Sequence, residues 1–249
     1  QVCITIKYAE INEIGFSIDI VPATEETFEN KTRLVNMSKY PFLIDSSIAI
    51  PKHNGERNYS WITNNPRGLT KWFNQINDHY LFFSRSEYRK LLFENNRSIF
   101  DSIEKIPSGL DRSPLQRVIQ ILKFHRDIYF SNIHKGDDLK PISAIITVLT
   151  AKLASHHNPN CSTFELLEYV INELNKYSIL MNNSSMSNIH YSLDDNIISK
   201  YDGKWYIENP ANPEDNLADK WDKNRDIPVN FFKWIQIVKT DLIDSLALS

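Results

Sequence analysis

The chain has 249 residues, of which 41% are apolar and 24% are charged, as in an ordinary globular protein. This length is enough for two packed lobes. A net charge of -3 and a pI near 6.2 exclude a protein that coats nucleic acid by bulk charge, and no apolar run is long enough to span a bilayer. We therefore expect neither membrane partners nor strong binding to nucleic acid.

The two cysteines and the first residues indicate the compartment. Cys3 and Cys161 lie far apart without metal-ligand spacing, which favours buried thiols of a reducing cytosol. Residues 2–8 already alternate as a strand, with neither an initiator methionine nor a signal peptide before them. Because a protein rarely begins inside a sheet, we expect that upstream residues have been removed or left out.

The first predicted elements are two strands within residues 2–22, joined by "AEINEIG". In the second strand Ile18 and Ile20 face one way and Asp19 the other, since strand side chains alternate. The runs "PFLIDSSIAIP" and 59–62 are expected to extend the same sheet, which ends at "NNPRG". From the residues alone, Asp19 is an edge-strand carboxylate or pairs with Lys7 across the hairpin.

From Leu69 onward the pattern becomes helical. Ser113 followed by Pro114 and Gln116 has the form of a capping box, and Ser162 with Glu165 repeats it. The predicted helices cover residues 69–83, 85–104, 113–130, 140–155 beginning at Pro141, and 162–180. Nearer the end, Asp202-Gly203 predicts a hairpin, Asn212-Pro213 a further helix start, and Pro228 the last helix.

One predicted helix, "PLQRVIQILKFHRDIYF", is apolar over most of its circumference and therefore expected to be central. Its narrow polar strip contains Gln116, Gln120, Lys123 and Asp127. If this strip lines a cleft, Lys123 can neutralise an anion, and Ser143 at the next helix start can add its free N–H groups. Alternatively, Lys123 pairs with Asp127, and Ser143 satisfies local backbone groups.

The segments "FSIDIVPA", "SWITNNP", "LQRVIQILKFHRD", "KPISAIITVLTAKLA" and "NPANPEDNLADKW" together resemble the bacterial cGAS/DncV-like nucleotidyltransferases. These CD-NTases are the oligonucleotide cyclases of CBASS antiphage defence. The resemblance implies an α+β fold, with the C-terminal part of a polymerase-β-type sheet lobe in residues 1–68 and a helical lobe in 69–249 that contains a small hairpin near 197–207. It also implies a bacterial cytoplasmic enzyme that converts ATP or GTP into a cyclic di- or trinucleotide second messenger.

The same resemblance assigns the site residues. It implies that Asp19 is the third of three carboxylates that hold two Mg²⁺ ions, acting both as a metal ligand and as a catalytic residue. Lys123 and Ser143 match the residues that hold the donor triphosphate. Phosphoryl transfer needs charge neutralisation and in-line positioning, and hard Mg²⁺ prefers carboxylate oxygens. An activating protein or ligand is a further expected partner.

The sequence departs from the family at one point. It contains no Gly-Ser pair followed by Asp-x-Asp or Glu-x-Asp, which supply the other two carboxylates in the family. We therefore expect the 249 residues alone to be inactive. The alternatives are a non-catalytic nucleotide- or partner-binding module on the same fold, and a template-independent nucleotidyltransferase that modifies RNA or protein.

Several other residues have a structural and a functional interpretation. Tyr59, Trp61 and Asn65 lie where the family's cleft begins, so one of them is a candidate to contact a base. His125 is interpreted as a helix residue satisfied by a partner, and His156-His157 as surface. The aromatic residues near the end of the chain are interpreted as core rather than as a base-stacking platform. They are Trp205, Tyr206, Trp221, Phe231, Phe232 and Trp234.

Overall fold

The computed structural model describes residues 2–8, 15–55, 58–95, 112–181 and 196–245, with the backbone alone for 87–95. Its helices and small antiparallel sheets confirm the predicted α+β class. The chain divides into two compact units, one of residues 1–72 and 209–215 and one of 73–208 and 216–249. None of the helices in these ranges is long and apolar enough to cross a membrane.

The first unit begins with a hairpin of β1 (Ile4–Lys7) and β2 (Ser17–Ile20). Its register places Ile4 opposite Ile20 and Thr5 opposite Asp19. The predicted alternation is therefore confirmed, and Asp19 lies on the face opposite the aliphatic side chains. Those side chains are exposed, with Ile4 at 63%.

A separate sheet follows, with β3 (Thr24–Glu25), β4 (Ile48–His53) and β5 (Tyr59–Asn64) in the order β3-β4-β5. The prediction that these runs extend the first hairpin is therefore wrong. Pro22, between β2 and β3, has no N–H group to donate to a ladder, so the pairing stops there.

Two helical segments also differ from the predictions, one within the first unit and one that begins in it and continues in the second. Residues Pro41–Ser46 form a 3-10 helix instead of a strand, with Pro41 at its start and Leu43 and Ile44 buried. α1 (Phe28–Met37) precedes it, capped by Thr27. α2 (Pro66–Asn95) is one continuous helix where two were predicted, and residues 96–104 of the second prediction lie outside the described residues.

Besides residues 73–95 of α2, the second unit contains five α-helices within its described residues. They are α3 (Pro114–Ser131), α4 (Gly136–Leu139), α5 (Ser143–Ala154), α6 (Thr163–Lys176) and α7 (Asp226–Val238). The capping boxes of α3 and α6 are confirmed. Val118 of α3, Leu149 of α5 and Val170 of α6 are at most 1% exposed, so these helices share the core of the unit.

Some helix boundaries were predicted less well. α5 begins at Ser143 rather than at Pro141, because Ile142 remains extended at φ -65° and ψ 151°. α6 ends at Lys176 and continues as a 3-10 turn, Tyr177–Met181. α7 begins before Pro228 and is followed by a π-helical turn, Lys239–Asp244.

The remaining strands form two small hairpins. β6 (Ser199–Tyr201) pairs with β7 (Lys204–Tyr206), and Asp202 and Gly203 turn the chain at positive φ. β8 (Glu208–Asn209) is followed by β9 (Asn212–Asn216). The helix predicted from Asn212-Pro213 is therefore wrong, because Asn212 begins a strand.

The aromatic residues near the end of the chain form part of the core of the second unit. Trp221 and Phe231 lie 5.1 Å apart between ring centroids, and both are at most 2% exposed. The core interpretation is confirmed for all of the predicted group except Tyr206, which is 38% exposed. Burial of such large rings stabilises the unit and leaves them unavailable to stack on a base.

Candidate functional site

Asp19 lies in the first unit, on β2, with its side chain exposed. The hydroxyl of Thr5, directly across the hairpin, donates a 2.6 Å hydrogen bond to Asp19 Oδ1. Lys7 is opposite Ser17 instead, so the suggested pairing of Lys7 with Asp19 is wrong. Thr5 therefore holds the carboxylate on the face of the hairpin opposite the aliphatic side chains.

Asp19 alone cannot hold two Mg²⁺ ions. A two-ion site needs several carboxylates that bridge and surround the metals. Among the residues that the structure describes, no group of three or more His, Cys, Asp or Glu side chains is arranged to hold a metal. These residues therefore do not fit the predicted two-ion site, and the metal role of Asp19 stays a prediction.

Lys123 lies in the second unit, on α3, with its side chain half-buried. Burial lowers the pKa of its ammonium group, and the positive charge of Arg126 lowers that pKa further. The suggested pairing with Asp127 is not observed, because both Nε and Nη2 of Arg126 bond Asp127 Oδ1, at 2.9 Å and 2.7 Å. Within the described ranges Lys123 forms no ion pair.

α3 is less buried than its composition suggested. Phe124 is 69% exposed and Ile128 is 50% exposed, one turn apart on the same face. The prediction of a mostly buried helix is therefore wrong on this side of α3. Its buried stripe runs instead through Val118, Leu122 and Phe130.

Ser143 is the first residue of α5, and its side chain is exposed. The N-cap residue, Ile142, has no side chain that can accept a hydrogen bond, so no side chain caps this helix. α1, α3 and α6 are all capped by a hydroxyl. The first turn of α5 therefore presents N–H donors and the positive end of the helix dipole without an internal acceptor from its cap.

Arg126 connects the two predicted triphosphate residues, and sequence reasoning missed it. Its Nη1 donates to Pro141 O at 3.0 Å and to Ser143 Oγ at 3.2 Å, while its charge acts on Lys123. The signal was present, since Arg126 falls four residues after Leu122 and four before Phe130 on the buried stripe. A charged residue at a core position requires a buried partner.

Asn65, which was considered as a base contact, is a structural residue of the first unit. It is 2% exposed, and its amide nitrogen donates to Leu43 O at 2.8 Å and Ala211 O at 2.9 Å. Its amide oxygen accepts from Ser46 Oγ at 2.8 Å and Gly68 N at 2.9 Å. Because all of these bonds are internal, no donor or acceptor remains for a base.

Replacing Asn65 by Ala should lower the free energy of unfolding by about 3 kcal/mol, because two buried carbonyls and a helix N–H group lose their partner. Urea unfolding followed by circular dichroism measures the change. Asn74→Ala, at an exposed position of α2, is the control and should have an effect within about 0.5 kcal/mol. Equal stability of the two variants would contradict the role given to Asn65.

Tyr59 and Trp61 remain candidates, since they are 58% and 64% exposed on β5. Tyr59 contacts the His53 ring at 5.1 Å between centroids. Exposed aromatic rings can stack on bases, but they are also common on strand surfaces. Their proposed contact with a base stays a prediction.

Glu26 is a buried carboxylate that sequence reasoning also missed. Burial alone would raise its pKa, but hydrogen bonds from Asn30, Thr63 and Thr27 lower it below the usual value. Glu26 Oε1 accepts from Thr27 N at 2.9 Å and Asn30 Nδ2 at 2.8 Å, and Oε2 accepts from Thr63 Oγ1 at 2.7 Å. This network joins the start of α1 to β5 and marks Glu26 as structural.

A Gln side chain at position 26 should lower the free energy of unfolding by about 2 kcal/mol at pH 7, since its NH₂ group cannot accept from these donors. The pKa of Glu26 is depressed in the folded protein, so its stabilising effect is present above the unfolded pKa and is lost as pH falls through the folded one. Stability of the native protein should therefore fall more steeply than that of Glu26→Gln below about pH 4.3. Chemical unfolding at several pH values measures both slopes, and parallel curves would contradict this assignment.

Among the residues that the structure describes, no histidine belongs to a group that could hold a metal ion. His125 Nδ1 accepts from Trp234 Nε1 at 3.1 Å and its Nε2 lies 3.1 Å from Asp241 Oδ2, which confirms the predicted partner-satisfied residue. His157 is half-buried and packs on the Tyr169 ring, with 4.5 Å between centroids, so it is not simply a surface residue.

The cysteines differ from the predicted buried pair. Cys3, just before β1, is exposed. Cys161 is half-buried, and burial raises the pKa of its thiol to about 11. Cys161 therefore lacks the depressed pKa that is typical of a catalytic thiol.

Comparison with known proteins relates this α+β chain to the cyclic dinucleotide synthases. The relative is the c-di-GMP synthase of Roseivirga ehrenbergii, which is 25% identical over 181 residues. The matched region covers 72% of this chain and 39% of the relative, so the chain spans well under half of the relative's length. No protein-family model matches the chain.

Proposed function

We propose that this chain is part of a cyclic oligonucleotide synthase, which joins GTP or ATP into a cyclic di- or trinucleotide second messenger. The observation that carries the proposal is the similarity to a c-di-GMP synthase over 72% of the chain. The relative's name makes GTP the first substrate to test. The sequence resemblance extends the proposal to antiphage defence in a bacterial cytoplasm, with an activating protein or ligand as a further partner.

In the proposed reaction a ribose hydroxyl of one nucleotide attacks the α-phosphorus of a second nucleoside triphosphate. A new P–O bond forms, the bond to pyrophosphate breaks, the hydroxyl proton is released, and a second transfer closes the ring. Catalysis of this kind depends on positioning and charge neutralisation. In the proposal, the Lys123 ammonium and the Ser143 hydroxyl donate to the triphosphate oxygens, beside the uncapped start of α5.

Asp19 is proposed to accept the proton of the attacking hydroxyl and to provide one ligand to Mg²⁺. When bound, Mg²⁺ supplies positive charge to the triphosphate. The described residues provide a single candidate carboxylate, so the proposed activity requires further carboxylates from elsewhere in the complete protein. For this reason the 249 residues alone are expected to form no cyclic product.

A non-catalytic nucleotide-binding module is the second candidate. The observation that favours it is that the 249 residues contain no Gly-Ser pair followed by Asp-x-Asp or Glu-x-Asp. Such a module would keep Lys123, Ser143 and the start of α5 for binding, and would make no product. Both candidates therefore bind the nucleotide, and only the synthase forms a cyclic product.

The test is product analysis with the complete natural protein that contains this chain. The protein is incubated with radiolabelled GTP, ATP or both, with and without Mg²⁺, and products are treated with phosphatase and analysed by mass spectrometry. The proposal expects a phosphatase-resistant cyclic nucleotide only when Mg²⁺ is present. GTP binding without product would favour the non-catalytic module, and label in a macromolecule would favour transfer to RNA or protein.

A further inference from the structure

Arg126 is a buried cation at the junction of α3 and α5. It is 7% exposed as a residue, although its partner Asp127 is exposed to solvent. Burying a guanidinium group is costly unless all of its sides are hydrogen-bonded. Arg126 meets this requirement, with Nε and Nη2 on Asp127 Oδ1 and Nη1 on Pro141 O and Ser143 Oγ.

The bond to Pro141 lies immediately before the start of α5. Ile142 stays extended while the Pro141 carbonyl points at Arg126, so the first helical residue is Ser143. A helix that started at Pro141 would place Ser143 in the interior of the first turn. The contacts of Arg126 with Pro141 and Ser143 therefore lie at the N-terminal end of α5.

The bond to Ser143 sets the direction of its hydroxyl proton. A guanidinium group can only donate, so Ser143 Oγ is the acceptor of the 3.2 Å bond from Arg126 Nη1. The single proton of the hydroxyl is then left to be donated to another group. A phosphate oxygen of a nucleoside triphosphate only accepts, which makes it the matching partner.

We propose that Arg126 is a positioning residue of the triphosphate site, which acts through Ser143 and does not contact the ligand. This inference rests on the proposed function, in which Lys123 and Ser143 bind the triphosphate. Arg126 joins the helix of Lys123 to the start of α5 and turns the Ser143 hydroxyl into a donor toward the phosphate.

The test is a double-mutant cycle in the complete protein, with affinity for a non-hydrolysable GTP analogue measured by calorimetry. Arg126→Lys keeps the charge but cannot bond Asp127, Pro141 and Ser143 together, so affinity should fall about 10-fold. In a Ser143→Ala background the same change should alter affinity by less than about 2-fold. Arg117→Lys, at an exposed position of the same helix, is the matched control and should change nothing.

An equal loss in both backgrounds would overturn the inference, because Arg126 would then act without Ser143. A native protein that does not bind the analogue would overturn the proposed function as well, so the two failures are distinguishable. If Arg126→Lys prevents folding, a crystal structure of the native complex decides. It should show Arg126 Nη1 bonded to Ser143 Oγ, and a bond from Arg126 to phosphate would contradict the inference.

Discussion

Replacing Asp19 by Asn in the complete protein should lower the rate of cyclic nucleotide formation by about 1,000-fold or more. In the proposal, the Asp19 carboxylate accepts the proton of the attacking hydroxyl and is one ligand of a metal ion. Metal ions contribute several kcal/mol to the stabilisation of such transition states. An amide carries no negative charge and binds Mg²⁺ weakly. The initial rate of product formation from GTP, measured by chromatography, checks the expectation.

The fold of this variant should be unaffected. Asn Oδ1 can still accept the hydrogen bond that Thr5 donates to Asp19, and the position is exposed, so stability should change by less than about 0.5 kcal/mol. Asp45→Asn removes an exposed carboxylate of the same unit and is the matched control, which should keep full activity. Turnover by Asp19→Asn at the rate of this control would contradict the metal and catalytic role of Asp19.

Replacing Lys123 by Ala should weaken binding of GTP by about 10- to 100-fold, since a hydrogen bond to a charged group contributes about 1.5–3 kcal/mol. The expected change is mainly in KM and in the Kd of a non-hydrolysable analogue. Lys233→Ala removes an exposed ammonium of the same unit and serves as the control. An unchanged Kd for Lys123→Ala would contradict the proposal that Lys123 binds the triphosphate.

The dependence of GTP binding on pH gives a second measurement on Lys123. Burial, together with the charge of Arg126, lowers the pKa of its ammonium group, so the free protein loses this charge at a lower pH than an ordinary lysine does. As pH rises, affinity for the triphosphate should therefore begin to fall at a pH lower than about 10.4, the pKa of an ordinary lysine. Lys123→Ala should not show this fall. If the affinity of the native protein and that of Lys123→Ala depend on pH in the same way, Lys123 is not the cause of the pH dependence.

Features of the fold that depend on neighbouring residues could be predicted from the sequence. Ser113 and Ser162 were identified as caps because a capping box is complete within four residues. The face of the strand on which Asp19 lies was predicted from strand alternation alone. The segment Pro41–Ser46 was assigned wrongly, since a short apolar run is compatible with either a strand or a helix until its tertiary partners are known.

The candidate site depends on distant residues, and there the sequence was less informative. Pro141 favoured an earlier start of α5, but a bond from Arg126, 15 residues away, accompanies the extended Ile142 and the later start. Asn65 was considered for a base contact because of its place near the expected cleft. Its structural role was missed because its partners include Ala211, which is 146 residues away along the chain. Asp19 lies in one compact unit, and Lys123 and Ser143 lie in the other.

The central claim is that Lys123 and Ser143 bind the triphosphate of a substrate nucleotide. A crystal structure of the complete protein with a non-hydrolysable GTP analogue and Mg²⁺ tests it most directly. We expect phosphate oxygens within hydrogen-bonding distance of both Lys123 Nζ and Ser143 Oγ, at about 2.7–3.2 Å. A triphosphate bound elsewhere, with neither side chain in contact, would contradict the account.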